Sequence, residues 1–175
     1  SRSYGMLTIG YVPFFWVILF YGIVWLCIDQ RNKIRFSIRI SLIYMGIFML
    51  TVIPMFRRQT ITFLDVGQGD GIYLHTDSGY DIFIDGGSTN VQSVGKYRIL
   101  PYIKYLGYQK IRAAVLSHMD EDHYSGILEL IKMGRVEYLG LPEVEKDTAM
   151  EKLIKAAEQN NTKIFYLSRG RMIRT

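Results

Sequence analysis

Two histidines and two aspartates lie within six residues near the middle of the chain, between His118 and His123. The apolar run 111–116 precedes them, and a helix-forming run, 125–132, follows. In a helix, residues two positions apart project to different sides, so His118 and Asp120 can converge only if the segment is irregular. The sequence therefore predicts a strand, a short ligand-bearing loop and a helix, in that order, and any fold of the chain has to contain this unit.

The donor types of this loop are those that divalent metals use in proteins. His118 with Asp120, and Asp122 with His123, form two adjacent pairs of one nitrogen and one oxygen donor. Two metal ions side by side are a plausible reading. The alternative is a solvated polar loop in which Asp122 or Ser125 caps the following helix.

Two apolar stretches open the chain. Residues 6–28 carry no charge, and residues 38–56 carry only Arg39. About 20 apolar residues are enough to cross a bilayer. These stretches predict two transmembrane helices, at about 6–28 and 38–56, in a membrane region spanning residues 1–58. For the first, a cleaved signal peptide is the alternative; for the second, an interfacial or buried core helix.

The charge of the chain is divided unevenly. Residues 1–59 hold seven Lys/Arg and one acid, whereas residues 60–175 hold fourteen and fifteen. The cationic segment 29–35 between the two apolar stretches predicts a cytoplasmic loop. The expected location is therefore a multi-pass protein of the cell membrane with residues 59–175 outside the cytoplasm. The net charge of those residues gives no support for a polyanionic substrate.

Residues 59–175 alternate between strand and helix patterns. Three strands separated by glycine-rich or polar turns come first, at 60–65, 71–75 and 80–85. A short helix at 99–106 and the strand 111–116 lead into the ligand loop. Helices at 125–133 and 149–159 then alternate with strands at 136–141 and 163–167. This order predicts an α/β fold in which helices cover a mixed sheet.

Three motifs carry a family resemblance: Phe63–Asp70 (FLDVGQGD), Ile84–Gly87 (IDGG), and Leu116–His123 (LSHMDEDH) with Gly126. Together they resemble the metallo-β-lactamase superfamily and, more narrowly, the carboxy-terminal domain of ComEC-type competence proteins, the membrane channels for incoming transforming DNA. The superfamily usually has a second histidine where this chain has Asp120. That exchange also resembles the ComEC branch.

The resemblance implies an αββα sandwich, of which residues 59–175 would be the N-terminal half, and a metal-dependent hydrolase that degrades the non-transported DNA strand. By this resemblance His118 and Asp120 would hold one ion, and Asp122 and His123 a second. Asp122 would also orient the nucleophilic water. A carboxylate in place of an imidazole favours Mn²⁺, with Zn²⁺ second. The implied partners are the membrane, single-stranded DNA and other components of the competence machinery.

Further residues are expected to shape the site. Asp65, Gly67, Gly69 and Asp70 resemble the turn that forms its floor, and Asp85 resembles a strand-end acid that supports the ligand loop. Turn and cap chemistry alone is the alternative for these residues. His75 lies outside the motifs, and we expect it to be an exposed strand residue.

The superfamily places further ligands in a second half-domain, and no histidine follows His123 in this chain. We therefore expect an incomplete metallo-β-lactamase-like domain whose activity requires the missing half. The alternatives are another extracytoplasmic hydrolase of the superfamily and a catalytically inactive, truncated channel component.

Overall fold

A computed structural model describes residues 10–28, 36–52, 59–144, 147–168 and 170. The chain divides into two compact units, residues 1–56 and 57–175. The first unit contains helices α1 (Phe14–Ile28) and α2 (Phe36–Val52), which pack against each other. The predicted cationic loop 29–35 lies outside the described residues, and so do residues 6–9 and 53–56 of the two predicted spans.

The two apolar helices are shorter than the predicted membrane spans. They have 15 and 17 residues. At 1.5 Å per residue they extend about 22 Å and about 25 Å, against a hydrocarbon core of about 30 Å. Within the described ranges, no helix has both the length and the apolar character to cross a bilayer. The prediction of two transmembrane helices at 6–28 and 38–56 is therefore wrong, and so is the multi-pass membrane location inferred from it.

The second unit is built on one sheet of six strands in the order β1-β2-β3-β4-β5-β6. Its strands are β1 (Thr60–Phe63), β2 (Ile72–His75), β3 (Asp81–Ile84), β4 (Ile111–Val115), β5 (Val136–Pro142) and β6 (Lys163–Leu167). The first three are antiparallel neighbours, because short turns connect them. From β3 onward every pair is parallel, since a helical segment separates each strand from the next.

Three helical crossovers connect the parallel strands. A π-helical turn (Gly95–Ile99) runs directly into α3 (Leu100–Tyr105), and α4 (Glu121–Lys132) and α5 (Thr148–Gln159) follow the next two strands. Right-handed crossovers that advance one strand at a time place all their helices on the same face of a sheet. On that face Tyr73, Phe83, Ala114 and Leu139, which are register partners on successive strands, are buried in one core.

The opposite face of the sheet is also apolar, but it is only partly covered. Ile72, Ile84 and Val115, again register partners on neighbouring strands, have intermediate exposure. The described fold is therefore a mixed six-stranded sheet with its helices packed on one face. The expected partial αββα sandwich preceded by two membrane-spanning helices is corrected to this α/β architecture.

Candidate metal centre

The ligand-bearing segment is anchored by a buried strand and by a helix. Leu116, just beyond β4, is buried and donates its backbone N–H to the carbonyl of Gly140 on β5. Residues 117–120 are irregular. Asp120 has extended backbone angles (φ −80°, ψ 150°) and stands immediately before the first residue of α4, Glu121.

Helix α4 begins four residues earlier than its predicted start at Ser125. Asp122 and His123 therefore lie in its first turn and not in an irregular loop. The sequence pattern missed this start because the apolar periodicity of the helix begins only at Ile127. The carbonyl of Asp120 accepts the backbone N–H groups of His123 and Tyr124, which fixes the first turn.

The structure brings three of the predicted ligands into one group. His118, Asp122 and His123 each offer a donor atom within 4.8 Å of the others. Asp122 Oδ2 lies 3.6 Å from His123 Nε2. The side chain of Asp120 lies outside this group, with its Oδ2 3.5 Å from His118 Nε2. The assignment of these four residues to two ions stays a prediction.

Two properties of His123 fit a metal centre. The residue is 9% exposed, and its buried Nδ1 has no hydrogen-bond partner. Its ring also lies 3.6 Å, centroid to centroid, from the ring of His118. Two imidazolium cations would repel each other at this distance, whereas two neutral imidazoles can be ligands of a shared centre. Nitrogen and carboxylate donors in this arrangement suit a divalent transition metal.

Asp85 lies under the ligand segment at the end of β3. It is 5% exposed, and its backbone φ of 57° is unusual for a residue other than glycine. One carboxylate oxygen accepts the backbone N–H of Ser117 at 2.8 Å, and the other accepts the Ser117 hydroxyl at 2.7 Å. That second oxygen is also 3.1 Å from His123 Nδ1. Asp85 therefore holds Ser117, the residue before His118, in place; its part in a functional site stays a prediction.

Two glycines allow other backbone segments to approach the ligand segment closely. A methyl group at Gly87 would overlap the backbone of Glu121 and Asp122, and one at Gly69 would overlap the carbonyl oxygens of Asp122 and Gly87. Only glycine fits at such contacts. The glycine-rich turn and the strand end are thus packed directly against the first turn of α4.

The remaining turn residues differ in how close they come to the site. Asp70 donates its backbone N–H to the Asp122 carbonyl, and its carboxylate lies 3.9 Å from His123 Nδ1. Asp65 is different: its side chain is 83% exposed, accepts the Gly67 N–H and lies 3.8 Å from Arg98. Asp70 therefore borders the donor group, whereas Asp65 and Gly67 shape the turn.

The sequence interpretation missed a set of small polar residues that join the turn to α4. Asn90 Oδ1 accepts the Gln68 N–H and the Ser88 hydroxyl. Ser125 Oγ accepts the backbone N–H of Ser88. These contacts span 22 and 37 residues of sequence, and no local pattern signals them.

Tyr124 follows the donor group in α4. Burial raises the pKa of its phenol above the ordinary value of 10, and the nearby carboxylates of Glu121 and Asp147 raise it further. Its hydroxyl therefore remains protonated at neutral pH and can act only as a neutral hydrogen-bonding group.

A second cluster of histidine and carboxylate lies at the other end of β3. His75 Nδ1 is 2.9 Å from Asp81 Oδ1, and the Tyr73 hydroxyl donates to the same oxygen. His75 is 5% exposed, so the expectation that it would be an exposed strand residue is wrong. His75 lies two residues after Tyr73 on β2, so both side chains are on the helix-covered face of the sheet. A polar side chain buried on that face needs a hydrogen-bond partner.

No protein-family model matches the chain. Among proteins of known identity, ComE operon protein 3 of Bacillus subtilis (strain 168) is 22% identical over 160 residues. That alignment covers 83% of this chain and 21% of the relative, so the chain spans about a fifth of the length of the protein it matches. The similarity is distant, and it indicates a competence-related relationship.

Proposed function

We propose that this chain contributes a metal-dependent hydrolytic site that cleaves phosphodiester bonds of DNA during competence. The observation that carries the proposal is the convergence of His118, Asp122 and His123 donor atoms within 4.8 Å at the junction of β4 and α4. The distant similarity to ComE operon protein 3 supports the competence context. DNA as the substrate comes from the motif resemblance.

Each residue of the group has a distinct task in this proposal. His118 and His123 present neutral nitrogen donors, with Asp120 adding an oxygen donor beside His118. Asp122 is half-buried, and its carboxylate would accept a hydrogen bond from a water held above the group and so orient that water toward phosphorus. A bound divalent ion would supply Lewis acidity, which lowers the pKa of water and offsets negative charge on phosphoryl oxygens.

The donor chemistry ranks the candidate ions. Aspartate oxygens at positions 120 and 122 are hard donors, which favours Mn²⁺, and the two imidazoles keep Zn²⁺ as the second choice. We propose up to two ions, with His118 and Asp120 on one side and Asp122 and His123 on the other. The grouping of His118 with Asp122 and His123 also allows a single ion.

The proposal departs from the expectation that activity requires a second half-domain, and assigns cleavage to the residues present. The test is degradation of single-stranded DNA by the full 175-residue chain with Mn²⁺ or Zn²⁺, compared with the His118→Ala variant. We expect metal-dependent cleavage that falls in the variant by more than the roughly 10–100-fold typical of losing an outer-shell partner. His75→Gln, at the distant buried cluster, is the matched control and should retain cleavage per folded molecule. Metal-dependent hydrolysis of a simple phosphodiester or carboxylic ester without DNA cleavage would indicate another superfamily hydrolase and contradict the DNA substrate.

A second candidate is a metal-binding element without hydrolytic activity. It is favoured by one observation: within the described residues, the group that could hold an ion has three members, all from one six-residue stretch. Catalytic zinc sites generally use three protein ligands, so three donors are at the lower end of what catalysis needs. Binding of Mn²⁺ or Zn²⁺ without hydrolysis of any of these substrates would support this candidate.

A further inference from the structure

Ser117 stands between the buried Asp85 and the ligand histidine His118. Its hydroxyl oxygen is 2.7 Å from Asp85 Oδ2 and 2.8 Å from His118 Nδ1. Both distances are those of good hydrogen bonds between side chains. One hydroxyl group therefore links the buried carboxylate of Asp85 to the exposed histidine His118.

The donor and acceptor roles along this chain follow from the number of protons. An ionised carboxylate only accepts hydrogen bonds, so the single Ser117 proton goes to Asp85. The bond is also charge-assisted and therefore stronger than one to a neutral nitrogen. Ser117 Oγ must then accept from His118, which requires the proton of the neutral imidazole to be on Nδ1.

This tautomer leaves the other ring nitrogen free. His118 Nε2 carries the lone pair, and it is the atom that faces Asp120 Oδ2 at 3.5 Å. A metal ligand must present an unprotonated nitrogen, and the hydrogen bond on the opposite nitrogen decides which one that is. In this tautomer His118 Nε2 and Asp120 Oδ2 are two acceptors that face one another, an arrangement that a cation between them would stabilise.

We propose that Ser117 is a positioning residue: it relays the charge of Asp85 to His118 and holds that imidazole as the Nδ1–H tautomer, with Nε2 ready to bind a metal. This inference rests on the proposed function, because the role of the relay is to prepare His118 as a metal ligand. Asp85 also lies 3.1 Å from His123 Nδ1, so one carboxylate is linked to both ligand histidines, directly to His123 and through Ser117 to His118.

Substitution of Asp85 by asparagine should reverse the direction of the hydrogen bonds through Ser117 without removing them. The asparagine oxygen can still accept the Ser117 backbone N–H, and its amide nitrogen then takes the position of Oδ2 and donates to Ser117 Oγ. This frees the Ser117 proton to be donated to His118 Nδ1, which favours the His118 proton on Nε2. Asparagine also tolerates the positive φ of this position.

The experiment is long-range ¹H–¹⁵N NMR of the metal-free full chain labelled with ¹⁵N-histidine, at about pH 8.5, well above the ordinary imidazole pKa of about 6.5. The chain has three histidines, so single His→Gln variants assign the signals. We expect the Nδ1–H pattern for His118 in the wild type and in Ser117→Thr, which keeps the hydroxyl. Asp85→Asn and Ser117→Ala should shift it toward Nε2–H.

Mn²⁺ and Zn²⁺ titrations of the same samples give the second readout. Affinity should fall about 10–100-fold in Asp85→Asn and Ser117→Ala and be retained in Ser117→Thr. An Nε2–H pattern in the wild type, or an unchanged pattern in Asp85→Asn, would overturn the relay. The predicted tautomers without metal binding by any sample would uphold the relay and overturn the proposed metal-dependent function instead.

Discussion

Strand β3 carries an aspartate at each end of its buried stretch, and each aspartate has a histidine beside it, yet the two clusters are built differently. At the start of the strand, Asp81 Oδ1 accepts from the Tyr73 hydroxyl and lies 2.9 Å from His75 Nδ1. All three groups are buried against the helices. We call this cluster closed, because the Tyr73 hydroxyl and His75 Nδ1 both meet Asp81 Oδ1 inside it.

At the other end of the strand, the cluster around Asp85 is open. His123 Nδ1 is buried 3.1 Å from Asp85 Oδ2 without forming a well-aligned hydrogen bond, and the neighbouring donors His118 and Asp120 are exposed. The residue types are the same as in the closed cluster, so composition does not separate the two. The difference is that the donors and acceptors of a structural cluster bind one another, whereas a ligand-binding cluster leaves some of them accessible to a ligand.

The largest expected difference between the clusters is in stability. Asp81→Ala removes the shared acceptor and leaves the His75 and Tyr73 polar groups buried without partners, which should lower the free energy of unfolding by about 3–5 kcal/mol. Asp122→Ala, at the open cluster, should change it by only about 0.5 kcal/mol. Urea denaturation measures both.

Metal affinity should show the reverse order. Asp122→Ala should weaken Mn²⁺ and Zn²⁺ binding, whereas folded Asp81→Ala should bind as the wild type does. Asp81→Asn, which keeps an acceptor oxygen, provides a more stable version of the same test. Equal loss of stability in Asp81→Ala and Asp122→Ala would show that the clusters do not differ in kind.

The next effect concerns the close backbone packing beneath the open cluster. Gly87→Ala should lower the free energy of unfolding by about 3 kcal/mol, because the new methyl group overlaps the backbone of Glu121 and Asp122. It should also displace the first turn of α4 and weaken metal binding. Gly79→Ala is the matched control: its φ of 81° is strained but nothing lies within 4 Å of the added methyl group.

In Gly79→Ala, the backbone strain alone should lower the free energy of unfolding by about 1–2 kcal/mol and leave metal affinity unchanged. Thermal denaturation with and without metal reports both quantities. If Gly87→Ala bound metal as tightly as Gly79→Ala, the packing of Gly87 against α4 would have no part in shaping the site.

Metal binding should itself stabilise the fold through the open cluster alone. At a free ion concentration 100 times the dissociation constant, the gain should be about 2.7 kcal/mol. His123→Ala should abolish it, and His75→Gln should retain it from a lower starting stability. A rise in melting temperature of equal size in His123→Ala would place the bound ion elsewhere in the chain.

The smallest effect is expected at Asp65. Within the described part of the chain its exposed carboxylate contacts the Gly67 N–H and, at 3.8 Å, Arg98, so Asp65→Ala should change the free energy of unfolding by about 0.5 kcal/mol. Metal affinity should stay within about twofold of the wild type. A tenfold loss in a calorimetric titration would instead place Asp65 in the site, as the family resemblance suggested.

The sequence predicted the second unit well where the signal was local. Alternating apolar residues and glycine-rich turns located all six strands, and the run from His118 to His123 marked the donor group. The sequence could not give the lengths of the two apolar helices or the contacts between side chains that are far apart in the chain. Apolar composition alone suggested membrane spans at 6–28 and 38–56, but the helices have only 15 and 17 residues.

The partners of the histidines were equally hidden from the sequence. His75 was expected to be exposed because no motif contains it, and only the β2–β3 register places Asp81 beside it. Ser117 was part of the motif, yet its role depends on Asp85, which lies 32 residues earlier. Such pairings are set by sheet register and crossover geometry, not by any local pattern.

Equilibrium dialysis of the full chain against Mn²⁺ and Zn²⁺, followed by measurement of the bound metal, tests the open cluster most directly. We predict one or two ions per wild-type chain, and none per chain in His118→Ala combined with His123→Ala, while His75→Gln retains them. Absence of bound metal in the wild type, or equal binding by the double variant, would contradict the assignment of a metal centre to the junction of β4 and α4.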